Sequence, residues 1–294
     1  MTTSQVTGEV IAPRKKRVRP LDLIGRYTAL FVLMAFLLLP ALWMAFSSLK
    51  PNSMLFGSTP DFSLEGVSLD NYRWALRPDG MDMTQLLINT FSTNIMSALL
   101  TTVFCAVAGY GLARYKGGLA RALVAFLVIS QMIQGPMIMV PWYQIAATLD
   151  LINTREVLVL IYQTLTIPAA IWLMAGFYRA IPVELEEAAA MDGCSKFGTF
   201  WRIILPLSLP GLAAISLYAF ILGWNDYQYA LILTSSEYSK TLQIGIAQVM
   251  NSIGATNWGG ILAAGTIAVI PAVIMFSLVQ KTLISGLTAG SVKG

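Results

Sequence analysis

Six apolar runs, each about twenty residues long with at most one charge, constrain this chain more than any other feature of its sequence. They fall at residues 24–46, 86–113, 122–142, 157–178, 207–233 and 259–280. A hydrocarbon core about 30 Å thick takes roughly 20 residues of helix at about 1.5 Å each. Inside it, every backbone N–H and C=O must be satisfied by the protein itself. The runs therefore predict an all-α, polytopic membrane protein with six transmembrane helices. Composition agrees, since only 12% of the residues are charged and 56% are hydrophobic, against roughly 25% charged in ordinary globular chains. Pro40, Pro136, Pro141, Pro168 and Pro271 lie inside or near the ends of these runs, where neighbouring helices can satisfy the freed carbonyls, so they predict kinks.

The distribution of lysine and arginine orients the spans. Arg14, Lys15, Lys16, Arg17, Arg19 and Arg26 precede or open the first run, and Arg114, Lys116 and Arg121 fill the second connection. Both regions are expected in the cytoplasm. The first connection carries Asp61, Glu65, Asp70, Asp79 and Asp82, and the fifth only Glu237 and Lys240, so both are expected outside. The expected organisation is a basic cytoplasmic tail over 1–23, a membrane domain over 24–285 and a cytoplasmic C-terminal tail over 286–294. The net charge of +4 thus reads as topology, and no nucleic-acid partner is expected. The first run follows a long polar tail and lacks a small-residue cleavage pattern, which predicts a retained anchor. With no histidine in the chain and only Cys105 and Cys194, in unlike environments, free thiols and no metal site are expected.

One stretch departs from this pattern. Residues 179–206 are placed in the cytoplasm by the count of spans, yet carry Glu184, Glu186, Glu187 and Asp192 against Arg179, Lys196 and Arg202. Pro182 and the alanines after it predict a short helix, and Gly193 its terminator. Ser195 is positioned to cap a second helix whose Phe197, Phe200, Trp201 and Ile204 share one face, with Pro206 ending it. An interfacial hairpin lying on lipid would favour lysine and arginine. Carboxylates favour a protein partner.

Glu187-Ala188-Ala189, three residues, Gly193, nine residues, then Ile203-Ile204-Leu205-Pro206 resembles the EAA signature of importer permeases of the ATP-binding-cassette class, at every spacing. Beside it stand "DNYRWAL" in the first connection, "GYGLARYKG" after the second run, "WND" late in the fifth and "GLTAGSVKG" at the C-terminus. Together they resemble the MalG-type permeases of carbohydrate uptake systems, with the type I, MetI-like fold.

The resemblance implies a bacterial inner-membrane subunit forming half of a translocation pathway. Its implied partners are a second homologous permease, two ATPase subunits and an extracytoplasmic substrate-binding protein, besides membrane lipid. The implied cargo is an oligosaccharide, malto-oligosaccharide or an acidic glycan such as alginate fragments, with glycerol phosphate behind them. It also assigns Glu184, Glu187, Ala188, Ala189, Met191, Asp192, Gly193, Leu205 and Pro206 to ATPase coupling. The connection between the fifth and sixth spans would meet the binding protein, and the C-terminal tail would reach the ATPase subunits. No segment matches the phosphate-cradling G-x-x-x-x-G-K-[ST] loop; the nearest approach, Gly193 to Thr199, lacks the lysine. No cofactor is expected on this chain, with ATP and Mg²⁺ held by the ATPase partners, and no enzymatic activity of its own.

Polar residues on the spans are candidates for the pathway: Asn89, Asn94, Gln131, Gln134, Tyr162, Gln163, Thr166, Asn225 and Asp226. The alternative for each is an interhelical hydrogen bond, which membrane helices commonly use and which is preferred for any one of them. Asp226 alone is acidic, and about 1.5 Å per residue from Pro210 places it towards the outer rim, which argues against a proton relay. The rival to an ATP-driven importer is a secondary carrier or channel working without an ATPase. An intramembrane enzyme would need a nucleophile or acid–base constellation that the spans lack.

Overall fold

The structure is a computed structural model that describes residues 20–57, 62–133, 135–251 and 256–291. Its regular elements are helical, with no strand among the described residues. In chain order they are α1 (Pro20–Ser47), α2 (Asn52–Leu55), α3 (Asp70–Leu76), α4 (Met83–Arg114), α5 (Gly118–Ser130), α6 (Gly135–Thr148) and α7 (Arg155–Ala180). Then follow α8 (Glu184–Met191), α9 (Lys196–Thr199), a π-helical turn (Phe200–Ile204), α10 (Leu205–Leu207), α11 (Leu209–Trp224), α12 (Gln228–Leu233), α13 (Leu242–Met250) and α14 (Trp258–Ser291). Four helices are long and apolar enough to span a membrane alone, and the number is up to six if each of two bent pairs, α5 with α6 and Lys196–Leu207 with α11, counts as one span. The basic residues 14–19 and Gln134 lie outside the described residues.

The chain divides into two units, residues 1–44 and 45–294. In the first, α1 turns large apolar side chains outward, with Phe31 73% and Phe36 75% exposed, as a lipid-facing anchor should. In the second, α4 and α7 form the central pair, α11 packs against both, and α14 packs against α11. Lipid is as apolar as leucine, so hydrophobic burial alone does not hold such helices together. Polar groups stitch α4 to α7 instead: Thr101 donates to Gln163 Oε1 at 2.9 Å and shares a 2.9 Å hydrogen bond with Thr166, while Gln163 Nε2 donates to Ser97 Oγ at 2.9 Å. Lower on the same seam, the Tyr178 hydroxyl donates to the Ala106 carbonyl at 3.0 Å.

Two expected spans are broken. The third, expected as one helix over 122–142, is α5 and α6, separated between Ser130 and Gly135. Pro136 cannot donate a backbone hydrogen bond and biases Gly135 away from helix, but suits the first turn of the new helix. The fifth, expected over 207–233, ends at Trp224, and the chain restarts as α12. The hairpin before it also differs. The second helix does not stop at Pro206 but runs through the π-helical turn to Leu207, and a 72° bend at Ser208 separates it from α11. Pro206 and Pro210 flank that bend, and each removes one donor from the ladder. At the other end α14 continues as helix to Ser291, beyond the expected limit at 280 and into the segment expected as a tail.

Gly223 marks the tightest approach of α11 to the central pair. A Cβ there would lie 1.9 Å from Asn94 Oδ1 and 2.9 Å from the Tyr162 ring. Gly223→Ala is expected to destabilise the protein by about 1–3 kcal/mol through overpacking. Gly111→Ala, whose Cβ would meet nothing within 4 Å, is expected to be neutral or stabilising by up to about 1 kcal/mol. Thermal denaturation of both variants in one mild detergent checks the contrast.

Candidate functional site

The acidic loop folds into a short helical hairpin. Glu184, Glu186 and Glu187 occupy the first turn of α8, where carboxylates complement the unpaired N–H groups at the positive end of the helix. Gly193 adopts φ +81°, and the Cys194 amide donates back to the Ala189 carbonyl at 2.9 Å, a left-handed closure that glycine supplies without strain. Ser195 Oγ then accepts the Gly198 amide at 3.1 Å and caps the next helix.

Helical spacing sorts the residues of this hairpin. Ala189, Thr199, Phe200 and Ile204 are buried, whereas Glu184, Glu187, Ala188, Asp192 and Gly193 are exposed. Met191 is 88% and Phe197 73% exposed. Leu205 is half-buried and Pro206 exposed on the far arm. Glu184, Glu187 and Met191, at three- and four-residue intervals, share the outward face of α8.

Glu186, on the opposite face, has a role that the sequence reading left unassigned. Its carboxylate pairs with the Arg114 guanidinium, and its second oxygen accepts the Tyr110 hydroxyl at 2.8 Å. Arg114 also donates to the Ile181 carbonyl at 3.0 Å. Both side chains of the pair are largely shielded, at 17% and 18% exposure, and the Tyr110 ring lies 4.9 Å from that of Phe200. The end of α4, with its "GYGLARYKG" sequence, and the acidic loop are thus fastened by one ionic and aromatic cluster. The available signal was periodicity: three residues before the inward-facing Ala189, Glu186 had to face the bundle, and Arg114 closes an apolar span.

The candidate pathway residues separate into two groups. Asn89, Asn94 and Tyr162 are buried and Gln163 half-buried, within the packing of α4 and α7. Asn89 donates to the Glu237 and Lys240 carbonyls at 2.8 and 3.0 Å, holding the chain after α12. Asn94 donates to the Thr90 carbonyl, while its Oδ1 has no hydrogen-bond partner among the described residues. Gln131, Asn225 and Asp226, by contrast, line one cavity of about 420 Å³ with Tyr218, Tyr227 and Tyr229. Asp226 there accepts the Tyr162 hydroxyl at 2.9 Å and the amides of Tyr229 and Ala230 at 3.2 and 3.1 Å. Tyr229 in turn donates its hydroxyl to the Gly135 carbonyl at 2.8 Å, tying the break in the third span to the break in the fifth.

The sequence and the fold have relatives. Residues 105–288 match the family described as binding-protein-dependent transport system inner membrane component. The chain belongs to that family. It is 34% identical to the trehalose transport system permease protein SugB of Mycobacterium tuberculosis over 90% of this chain and 95% of that protein. To the sulfoquinovosyl glycerol transport system permease protein SmoH of Agrobacterium fabrum it is 30% identical, over 92% and 93%. Its fold matches a crystal structure of a bacterial ABC transporter involved in import of the acidic polysaccharide alginate, with a TM-score of 0.76 at 20% identity, covering 92% of this chain and 99% of that one. The chain is therefore an all-α ABC transporter permease of the inner-membrane component family. Both the acidic hairpin and the cavity lined by Asn225 and Asp226 fall inside the family-matching segment.

A double-mutant cycle tests the Arg114–Glu186 tie. Either Arg114→Ala or Glu186→Ala is expected to cost about 1–3 kcal/mol, since each leaves a shielded charge with fewer partners. The double variant is expected to cost clearly less than the sum of the two. Thermal melts of the four proteins in one detergent measure the coupling; additive losses would show that the pair contributes nothing.

Proposed function

We propose that this permease imports a carbohydrate, forming half of a translocation pathway with a second homologous permease and receiving cargo from an extracytoplasmic binding protein. Two ATPase subunits, which bind the ATP and Mg²⁺, dock from the cytoplasm, where both termini also lie, one of them on the acidic hairpin of this chain. The observation that carries this reading is the two-sided construction of α8. Glu186 is held by Arg114 and Tyr110 on the inner face, while Glu184, Glu187, Ala188 and Met191 stand outward. A short helix tied to the bundle on one side and bare on the other suits a rigid coupling element. The outward carboxylates call for a basic surface on the ATPase.

The carbohydrate class rests on the relatives, whose names specify trehalose and sulfoquinovosyl glycerol transport. A neutral and an anionic glycoside together single out no substrate. Tyrosines beside Gln131, Asn225 and Asp226 supply the ring faces and hydrogen-bonding groups that a sugar needs, and we assign them to the pathway wall. Family membership weighs against the rival of a carrier without an ATPase.

The test is the assembled importer carrying Glu187→Lys with Gly193→Pro. Uptake is expected to fall to background, while the bundle keeps its melting temperature within a few degrees. Substrate-stimulated ATP hydrolysis is expected to be lost with it. Unchanged uptake and unchanged stimulation would overturn the coupling assignment.

A further inference from the structure

A second cavity, of about 740 Å³, opens beside the acidic hairpin and belongs to neither the pathway wall nor the outward face of α8. It lies between the ends of α4, α5 and α7. Its wall is apolar and built from small side chains, with Leu112, Ala113, Ala120 and Val124 among them, and its rim carries Lys116, Arg121 and Arg179. No carboxylate lines it. The three cations are exposed, and among the described residues none pairs with a carboxylate. Arg114, close by in sequence, is already neutralised by Glu186. Tyr115, 59% exposed, stands at the same rim. A tyrosine beside lysine and arginine at the end of apolar spans is the composition of a membrane interface.

We propose that this groove is a binding site for one anionic phospholipid of the inner leaflet. An acyl chain fills the apolar wall, and the headgroup phosphate meets Lys116, Arg121 and Arg179. Charge complementarity selects this occupant. A neutral lipid would leave three adjacent cations uncompensated, and a soluble anion would leave the apolar wall open to water. Basic pockets between membrane helices on the cytoplasmic side bind anionic headgroups through this combination. The assignment of the leaflet rests on the orientation proposed above, whereas the groove and its cations do not.

Native mass spectrometry of the full chain, purified in mild detergent and equilibrated with phosphatidylglycerol or phosphatidylcholine of the same acyl composition, tests the site. The wild type is expected to retain one tightly held phosphatidylglycerol and to prefer it over phosphatidylcholine. Each neutralisation among Lys116→Gln, Arg121→Gln and Arg179→Gln is expected to lower that occupancy roughly fivefold. Val124→Trp, which fills the groove and leaves the cations in place, is expected to release the lipid as well. Equal retention of the two lipids, or undiminished retention by the triple variant, overturns the proposal. Retention by a folded Val124→Trp protein overturns the groove as the seat. Orientation is read separately, from labelling of Lys116→Cys in a Cys194→Ser background by an impermeant maleimide. Labelling from the outer face alone would refute the proposed orientation and the inner leaflet, while the retention arms still decide the groove.

Discussion

Hydrocarbon offers no hydrogen-bond partner, so every place where a membrane helix breaks must be filled by the protein's own polar groups. In this chain, three breaks are filled by named side chains. Tyr229 donates to the Gly135 carbonyl at the break in the third span. Ser208 donates back to the Leu205 carbonyl, at 2.8 Å, where the chain turns into α11. Asp226 accepts two backbone amides where α12 begins, and the Tyr162 hydroxyl from α7 as well. Asp226 and Tyr229 lie three residues apart, so the entry to α12 serves two breaks and α7 at once. Its residues Tyr229, Ala230 and Leu233 are accordingly buried, in a cluster with Val157, Leu158, Ile161 and Tyr162.

The same requirement makes α4 and α7 a strut fastened at both ends. Between them, Thr101, Thr166, Gln163 and Ser97 form a continuous polar seam in otherwise apolar packing. At one end, Arg114 and Tyr110 hold Glu186 of the acidic hairpin. At the other, Asn89 holds the Glu237 and Lys240 carbonyls, and Thr90 Oγ1 accepts the Leu242 amide at 2.8 Å. Asn153, at φ +66°, accepts the amides of Ser235 and Ser236 and the Ser239 hydroxyl. The acidic hairpin and the connection after α12 are therefore held to the central pair by directional bonds.

The apolar runs were legible because span length is set by bilayer thickness: four appear as single helices long enough to cross, the third as the bent pair α5 and α6, and the fifth as α11 followed by the short α12. The hairpin was legible because glycine at a positive φ and serine at a cap are local chemistry, visible without tertiary context. The breaks were less so. Proline inside a membrane run reads equally as a kink or an interruption, and Pro168 lies within the unbroken α7 while Pro136 opens a new helix. Tertiary context distinguishes the two places: at the break, Gly135 beside Pro136 accepts the hydroxyl of the distant Tyr229, a contact that no local pattern announces. The partners of Asn89 and Asp226 were illegible for the same reason: a polar side chain on a span looks alike whether it lines a pathway or, as Asn89 does, holds a loop 148 residues away.

The carboxylates of the acidic hairpin show how far a count of charge differs from its use. Three glutamates open α8, and their clustering suggested a single docking surface. Helical geometry divides them, since residues two apart face away from each other while those three apart align. Glu184 and Glu187 therefore keep their charge in solvent, and Glu186 gives its charge to Arg114. An inward carboxylate at this place fixes the rotation of α8 about its axis, and that rotation is what holds Glu187 and Met191 outward. The ion pair, itself turned inward, thus helps determine which residues of α8 face solvent.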